Sequence, residues 1–227
     1  MPIKKQSKGQ CSFCQQEFAK GALTRHLAKC PQRQAVIAKA DSKAAGREAL
    51  YHLQVGDAYR PEFWLHLEMR AAASLKDLDD YLRAIWLECC GHLSEFSYGG
   101  LGSQTLAMKR RAGEVFEPGV EITHIYDFGT SSETLVKVAG VRTGQPLTAK
   151  PIVLLARNLP VEAACMECGQ PAGWLCMECL IEDDVSGVLC DAHAETHPHE
   201  NYGEPTALVN SPRVGMCGYD GPADPPY

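Results

Sequence analysis

Apolar and polar residues change rhythm along the chain, and each change marks an element. Tyr51, Leu53 and Val55 alternate with His52 and Gln54, the two-residue period of a strand with one buried face. A second alternation sets Phe63, Leu65, Leu67 and Met69 against Trp64, His66 and Glu68. The rhythm then lengthens: Leu75, Leu78, Leu82, Ile85 and Cys89 recur at helical spacing, which predicts an amphipathic helix over 75–90. Ser74 with Asp77 is a helix-start signal, and Gly91 supplies a stop. Beyond the helix, strand-like runs at 92–98, 122–128, 133–139 and 151–157 surround a glycine-rich loop over 99–113. This order predicts an α+β domain over residues 48–157, a small sheet with the helix on one face.

The two ends read differently. Residues 1–31 are finger-like, and Pro31 closes their helix because the residue before a proline is driven out of the helical region. Residues 32–47 include a helix former from Gln32 to Ala45 with little apolar face, which reads as a helical linker. Residues 160–227 carry a second set of cysteines and histidines and end in a Pro/Gly-rich tail. These two small modules are expected to flank the α+β core.

Of 227 residues, 45% are hydrophobic and 22% charged, and no apolar run approaches the length of a membrane span. The opening MPIKKQSKGQ lacks the apolar stretch of a secretory signal. The expectation is therefore a cytoplasmic protein whose thiols stay free or bind metal. The net charge of −6 conceals an asymmetry. Residues 1–47 hold ten Lys/Arg against two Asp/Glu; residues 48–227 hold twelve against twenty-six. A basic arm on an acidic body suits nucleic-acid contact, and it suits an arm folded against its own body equally well.

Nine of the eleven cysteines fall into two patterns with histidines. Cys11 and Cys14 bracket two residues, and His26 and Cys30 stand one helical turn apart. Together they offer three sulfurs and one nitrogen to a tetrahedral zinc ion. Phe18 and Leu23 supply the little core such a unit needs, and metal binding supplies its folding energy. Lys20, Arg25, Lys29 and Arg33 are the finger's candidate phosphate contacts. The C-terminal set comprises Cys165, Cys168, Cys176, Cys179, Cys190, His193, His197, His199 and Cys217. Nine candidates for the eight positions of two zinc ions leave one spare. The spacing is similar to B-box-like modules, in which alternate pairs share an ion. That analogy gives Cys165, Cys168, Cys190 and His193 to one zinc. It gives Cys176 and Cys179 to the other, with two of His197, His199 and Cys217. An iron–sulfur cluster calls for other spacings. The expected cofactor is zinc, three ions in structural sites whose filled shells leave no place for a reacting water.

The middle of the chain resembles a bacterial family of unknown function named for the third open reading frame of a root-inducing plasmid. That family is also described as an insertion-element passenger of TnpR type. The resemblance covers about residues 48–157. It rests on Tyr51-His52-Leu53-Gln54-Val55, Pro61-Glu62-Phe63-Trp64, Leu75 with Leu78, Gly91-His92-Leu93-Ser94-Glu95-Phe96 and Tyr126-Asp127-Phe128-Gly129. It implies an α+β fold and no established activity. Some members carry a tail like Val209–Arg213 followed by Gly215-Met216-Cys217-Gly218-Tyr219, which implies a ligand role for Cys217. Members usually have two arginines where this chain has Leu65-His66, and Asp and Trp where it has Thr130-Ser131-Ser132. No serine-recombinase pattern accompanies the TnpR label.

His92, Glu95, His124 and Asp127 could form an acid–base cluster if their strands adjoin; the plainer reading has His92 and Asp127 fixing a turn. Asp127-Phe128-Gly129 lacks the other kinase motifs, and Gly99-Gly100-Leu101-Gly102 lacks a P-loop lysine. Lys109-Arg110-Arg111 reads as a solvated run. Cys89 and Cys90 read as small core or boundary residues of the predicted helix. The functional expectation is a zinc-binding, non-enzymatic protein of bacterial or mobile-element origin that contacts nucleic acid or acts in regulation. The alternatives are a protein–protein adaptor working through the C-terminal module, and an enzyme centred on His92 and Asp127.

Overall fold

The two alternating segments form adjoining strands, β3 (Glu48–Asp57) and β4 (Trp64–Arg70), with Leu53 opposite Leu67 and Gln54 opposite His66. Directly paired residues share a face. One face therefore collects Leu53, Val55, Leu65 and Leu67, and the other collects His52, Gln54, Trp64, His66 and Glu68. In the computed structural model, which describes residues 7–43, 46–198 and 201–222, these strands are central to a nine-stranded antiparallel sheet. Its other strands are β1 (Lys8–Cys11), β2 (Glu17–Ala19), β5 (Ser94–Ser97), β6 (Thr105–Leu106), β7 (Glu121–Tyr126), β8 (Ser132–Gly144) and β9 (Ile152–Asn158). The order is β2-β1-β9-β4-β3-β8-β7-β5-β6, and a short helix, α4 (Ala112–Val115), precedes β7. The class is α+β, and the sheet is larger than the small one expected because the finger contributes two strands. Gly9 lies opposite Asn158, and Cys11 opposite Ala156.

The chain divides into two compact units, residues 1–83 with 92–159 and residues 84–91 with 160–227. In the first unit, α3 (Leu75–Leu82) starts as expected. The Ser74 hydroxyl accepts from the Asp77 N–H, and the Asp77 carboxylate accepts from the Ser74 N–H at 2.7 Å. The helix buries Leu75, Leu78 and Leu82 and stops short of residue 90. Its next turn, Arg83–Leu87, widens to a π-helix, and residues 84–91 belong to the other unit. Cys89 and Cys90 lie beyond it, half-buried and exposed respectively, so neither is a core residue.

The polar face of β3 and β4 is covered by α1 (Lys20–Lys29) and α2 (Pro31–Asp41). Phe18, Leu23 and Leu27 of the finger pack with Trp64, Leu155 and Ala156 of the sheet. Arg33 on α2 donates to the Leu27 carbonyl at 3.0 Å and to Glu68 Oε2 at 3.1 Å. Arg142 of β8 approaches the same carboxylate at 2.6 Å and 2.9 Å. This corrects two expectations. Arg33 is 7% exposed and neutralises a buried carboxylate, so it does not face a phosphate. The helix over 31–41 is packed on the sheet and is no free linker. Beside this cluster the His52 Nε2 and His66 Nδ1 atoms stand 2.8 Å apart. Burial, with the Arg33 guanidinium adding to it, pushes His52 down to about 4; burial and His52 push His66 down to about 3.

Glu68→Gln leaves Arg33 and Arg142 without their counter-charge, and denaturant titration should show a loss of about 3 kcal/mol. The histidine pair sets a pH dependence. Both side chains are held neutral below their ordinary pKa, so their contribution is complete above about pH 6.5 and is lost as pH falls through about 4 and about 3. Unfolding midpoints measured from pH 8 to 3 should decline over that window, with a shallower decline in His52→Gln.

Candidate metal centres

At the finger, the Cys11 N–H donates to the Gln16 carbonyl and the Gln15 N–H to the Cys11 carbonyl, folding residues 11–16 into a knuckle. Gln15 takes the left-handed conformation this needs, at φ 59°. The knuckle sets Cys11 and Cys14 side by side, and α1 carries His26 and ends at Cys30. All four ligand atoms lie within 4.8 Å of one another. Cys11 Sγ stands 4.0 Å from Cys30 Sγ, and Cys14 Sγ 3.4 Å from His26 Nε2. The His26 ring is stacked on Phe18, 3.8 Å between centroids, and burial lowers its pKa, which favours the neutral ligand form. Burial pushes the Cys11 thiol up to about 11. Cys30 shifts down, because N–H and sulfur donors around it outweigh its own burial.

In the C-terminal unit the ligand pairs interleave. Cys165 and Cys168 form a second knuckle, closed by the Gly169 N–H donating to the Cys165 carbonyl at 2.8 Å. They meet Cys190 and His193 across the unit. His193 Nδ1 is 3.4 Å from Cys165 Sγ and 3.3 Å from Cys190 Sγ, and Cys168 Sγ is 3.8 Å from Cys190 Sγ. Cys190 caps α6 (Asp191–Ala194), the helix that carries His193. The intervening pair forms a separate group: Cys176 caps α5 (Met177–Ile181), which carries Cys179, and Cys179 Sγ stands 3.1 Å from His197 Nε2. Gly187 is required here. Its φ is +65°, and a Cβ would strike the Cys176 carbonyl. Three short strands, β11 (Val188–Leu189), β10 (Trp174–Leu175) and β12 (Thr206–Ala207), complete the unit in that order.

The alternate-pair arrangement therefore brings together Cys165, Cys168, Cys190 and His193, and separately Cys176, Cys179 and His197. His199 lies outside the described residues. Cys217, offered by the sequence alongside His197 and His199 as a donor to the second ion, is not in that group. It occupies a tight turn at φ +50° between Gly215 and Gly218, and a Cβ on Gly215 would meet Leu175 at 2.7 Å. That seating turns Cys217 Sγ toward Arg213 Nη2 at 3.6 Å. The buried Arg213 guanidinium also reaches Cys89 Sγ, at 3.4 Å from Nε.

The sulfur and imidazole donors fit a metal ion on charge grounds as well as on distance. Within the first C-terminal group the thiols diverge. Cys165 is held at about 6, its own burial outweighed by N–H donors including those of Cys190 and Cys168; at Cys168 the Gln170 N–H pulls down, and burial with the sulfurs of Cys165 and Cys190 outweighs it and raises the thiol. Crowded thiols cannot all ionise together unless a cation sits between them.

Of the other candidates, Lys20, Arg25 and Lys29 are exposed, and Lys20 Nζ donates to the Pro61 carbonyl at 2.8 Å. The four residues of the acid–base cluster do not converge. His92 Nε2 approaches Asp127 Oδ2 at 3.4 Å, while Asp127 Oδ1 accepts from the Gly129 N–H, fixing the turn. Glu95 pairs with Ile125, and Phe96 with His124, so Glu95 and His124 fall on opposite faces of the sheet. His124 instead meets Asp79 at 2.8 Å in a buried network with Ser94 and Arg83. Asp79 is held down to about 2: burial would raise it, and the donors from His124 and Ser94 outweigh that. The sequence signal for this network is Asp79, four positions after Leu75 and three before Leu82, which sets it on the apolar side of α3 while Asp80 faces solvent.

No family model matches the chain, and no curated protein matches it. Among solved structures, a protein of unknown function from Methanosarcina mazei Go1 is similar over 46% of this chain and 66% of its own length, at 18% identity and a TM-score of 0.39. The match thus spans just under two thirds of that protein. Among the described residues, no helix is long and apolar enough to cross a membrane.

The ligand assignment separates by mutation. Cys179→Ser should lower bound metal by about one ion per chain. Cys217→Ser should leave the metal content unchanged, as read by elemental analysis of the purified protein.

Proposed function

We propose that the protein is a zinc-structured, non-catalytic adaptor. In this reading zinc is held by Cys11, Cys14, His26 and Cys30, by Cys165, Cys168, Cys190 and His193, and by Cys176, Cys179 and His197, with His199, outside the described residues, as the fourth donor that the sequence offers. The observation that carries the reading is how little apolar packing surrounds the C-terminal ligands themselves. The cluster at these ligands is Cys165, Cys176, Cys179 and Leu189, with Ala172, Cys190 and Ala194 around it. The unit's strands are two residues long, and its helices α5 and α6 run to five and four. Apolar burial on that scale does not hold these thiols and imidazoles in place, and metal does. Sets of protein sulfur and nitrogen donors that fill all four positions suit structural zinc and leave no site for a reacting water. A scaffold of this kind presents surfaces for binding, and the resemblance to a plasmid-borne family supports a bacterial or mobile-element setting.

A second reading, nucleic-acid contact through α1, is favoured by the exposure of Arg25 and Lys29, with Lys20 beside them. Elemental analysis should return three zinc ions per chain; fewer would remove one of the sites. A gel-shift titration at two salt concentrations then divides the readings. Salt-sensitive binding that weakens in Arg25→Gln/Lys29→Gln would support the nucleic-acid surface. Absence of any shift at low salt would leave the adaptor alone.

A further inference from the structure

Residues 160–227 contain twelve Asp/Glu, no lysine and one arginine. That arginine, Arg213, is 0% exposed. Residues 84–91 add Glu88 and no Lys or Arg. The described surface of the C-terminal unit thus carries no lysine or arginine side chain at all. Ordinary surfaces intersperse both signs. A surface of one sign repels polyanions and attracts polycations over about a Debye length.

The same unit has a concavity of about 940 Å³ lined by Trp174, Asp191, Glu195, His197, Glu204 and Pro205, among others. Three of its features point to one chemistry. Asp191 and Glu195 stand one turn apart along α6 and its C-cap, where like charges repel, and Glu204 adds a third carboxylate from the approach to β12. Trp174 of β10 contributes an indole that is 36% exposed, with its N–H already donated to Asp191 Oδ1 at 2.8 Å. Its polar atom is satisfied, so what remains to offer is the ring, the surface on which an ammonium or guanidinium binds best. His197 joins the lining and also stands with Cys176 and Cys179 in a ligand cluster, which ties the shape of the cavity to the metal.

We propose that this cavity is the docking site for a lysine- or arginine-rich segment of a partner protein. One cationic side chain is seated against Trp174 between Asp191, Glu195 and Glu204, and its neighbours are held by the surrounding acidic surface. The volume lies within the range of built ligand sites, and the aromatic wall accommodates the apolar stem of a long cationic side chain. The uninterrupted negative charge around the cavity fits a run of cations better than a single amine. The proposal gives the adaptor reading its partner class, and it rests on that reading to the extent that the unit must fold around its metals.

The test uses the full chain with its metal content measured, and a fluorescein-labelled peptide of alternating lysine and glycine as probe, with a glutamate–glycine peptide as control. The expected result is saturable one-to-one binding of the cationic peptide alone. Binding should weaken about tenfold in Glu195→Gln/Glu204→Gln. It should hold in Glu182→Gln/Asp184→Asn, which removes the same charge outside the cavity. Equal weakening in both double variants would mean diffuse attraction without a site and overturn the proposal. Absence of binding by a chain that holds its metals would overturn it while leaving the metal-structured scaffold intact. Concentration-dependent self-association, displaced by the peptide, would assign the cavity to the basic arm of a second copy and overturn the separate partner.

Discussion

Sulfur atoms held about 4 Å apart cannot all give up their protons unless something positive stands among them, and this chain brings its cysteines that close at both ends. The constraint organises the rest. In the first unit, Cys11 is at once a candidate ligand and the last residue of a strand in the main sheet, opposite Ala156. In the second, the ligand pairs interleave, so one group cannot form without passing the chain across the other. The metal centres are therefore continuous with the framework. The finger helices lie over a polar sheet face that would otherwise need water, and the Arg33–Glu68–Arg142 cluster fixes them there.

That burial also explains the charge pattern. The basic arm is only partly available to solvent partners, because Arg33 is spent inside and Lys20 is tethered to the Pro61 carbonyl. The acidic tail uses its charge only locally, with Asp191 accepting from Trp174, Glu178 from Asn201 and Glu182 from Tyr202. Its one arginine is enclosed with Cys89 and Cys217, and its described carboxylates are exposed or half-exposed. A chain that reads from end to end as a mild anion is two surfaces of different kinds, and the acidic one is the less compromised.

Much of the fold was legible. The strict alternation at 51–55 and 64–69 and the Ser74–Asp77 start signal each map onto the elements they predict, since local pattern and tertiary burial agree there. The ligand pairs were legible for a similar reason: two-residue knuckles and one-turn helical spacing are local geometry. What escaped depended on distant partners. The helix over 75–90 ended early because residues 84–91 serve another unit. Arg33 looked like a surface charge because its partner lies thirty-five positions away on β4. Cys217 looked like a ligand through the family resemblance, and the seating of Gly215 beneath Leu175 sends it elsewhere. An acid–base cluster of His92, Glu95, His124 and Asp127 required a shared face, and the alternation of β5 and β7 turns His124 toward Asp79 instead.

The shared role of Cys11 has a consequence for how the protein fails. β9 is flanked on one side by β4 and on the other by β1, which is four residues long and is followed outward by three-residue β2. A strand pair so short holds its place weakly, and its register is secured at Cys11. Without an ion at Cys11, Cys14, His26 and Cys30, the site proposed above, β1 would lose its anchor and β9 would be left with unanswered N–H and C=O groups, a template for strands of other chains. The finger thus works as an edge protector. Metal depletion would be felt first as aggregation of otherwise folded molecules, with the interior of the sheet still in place.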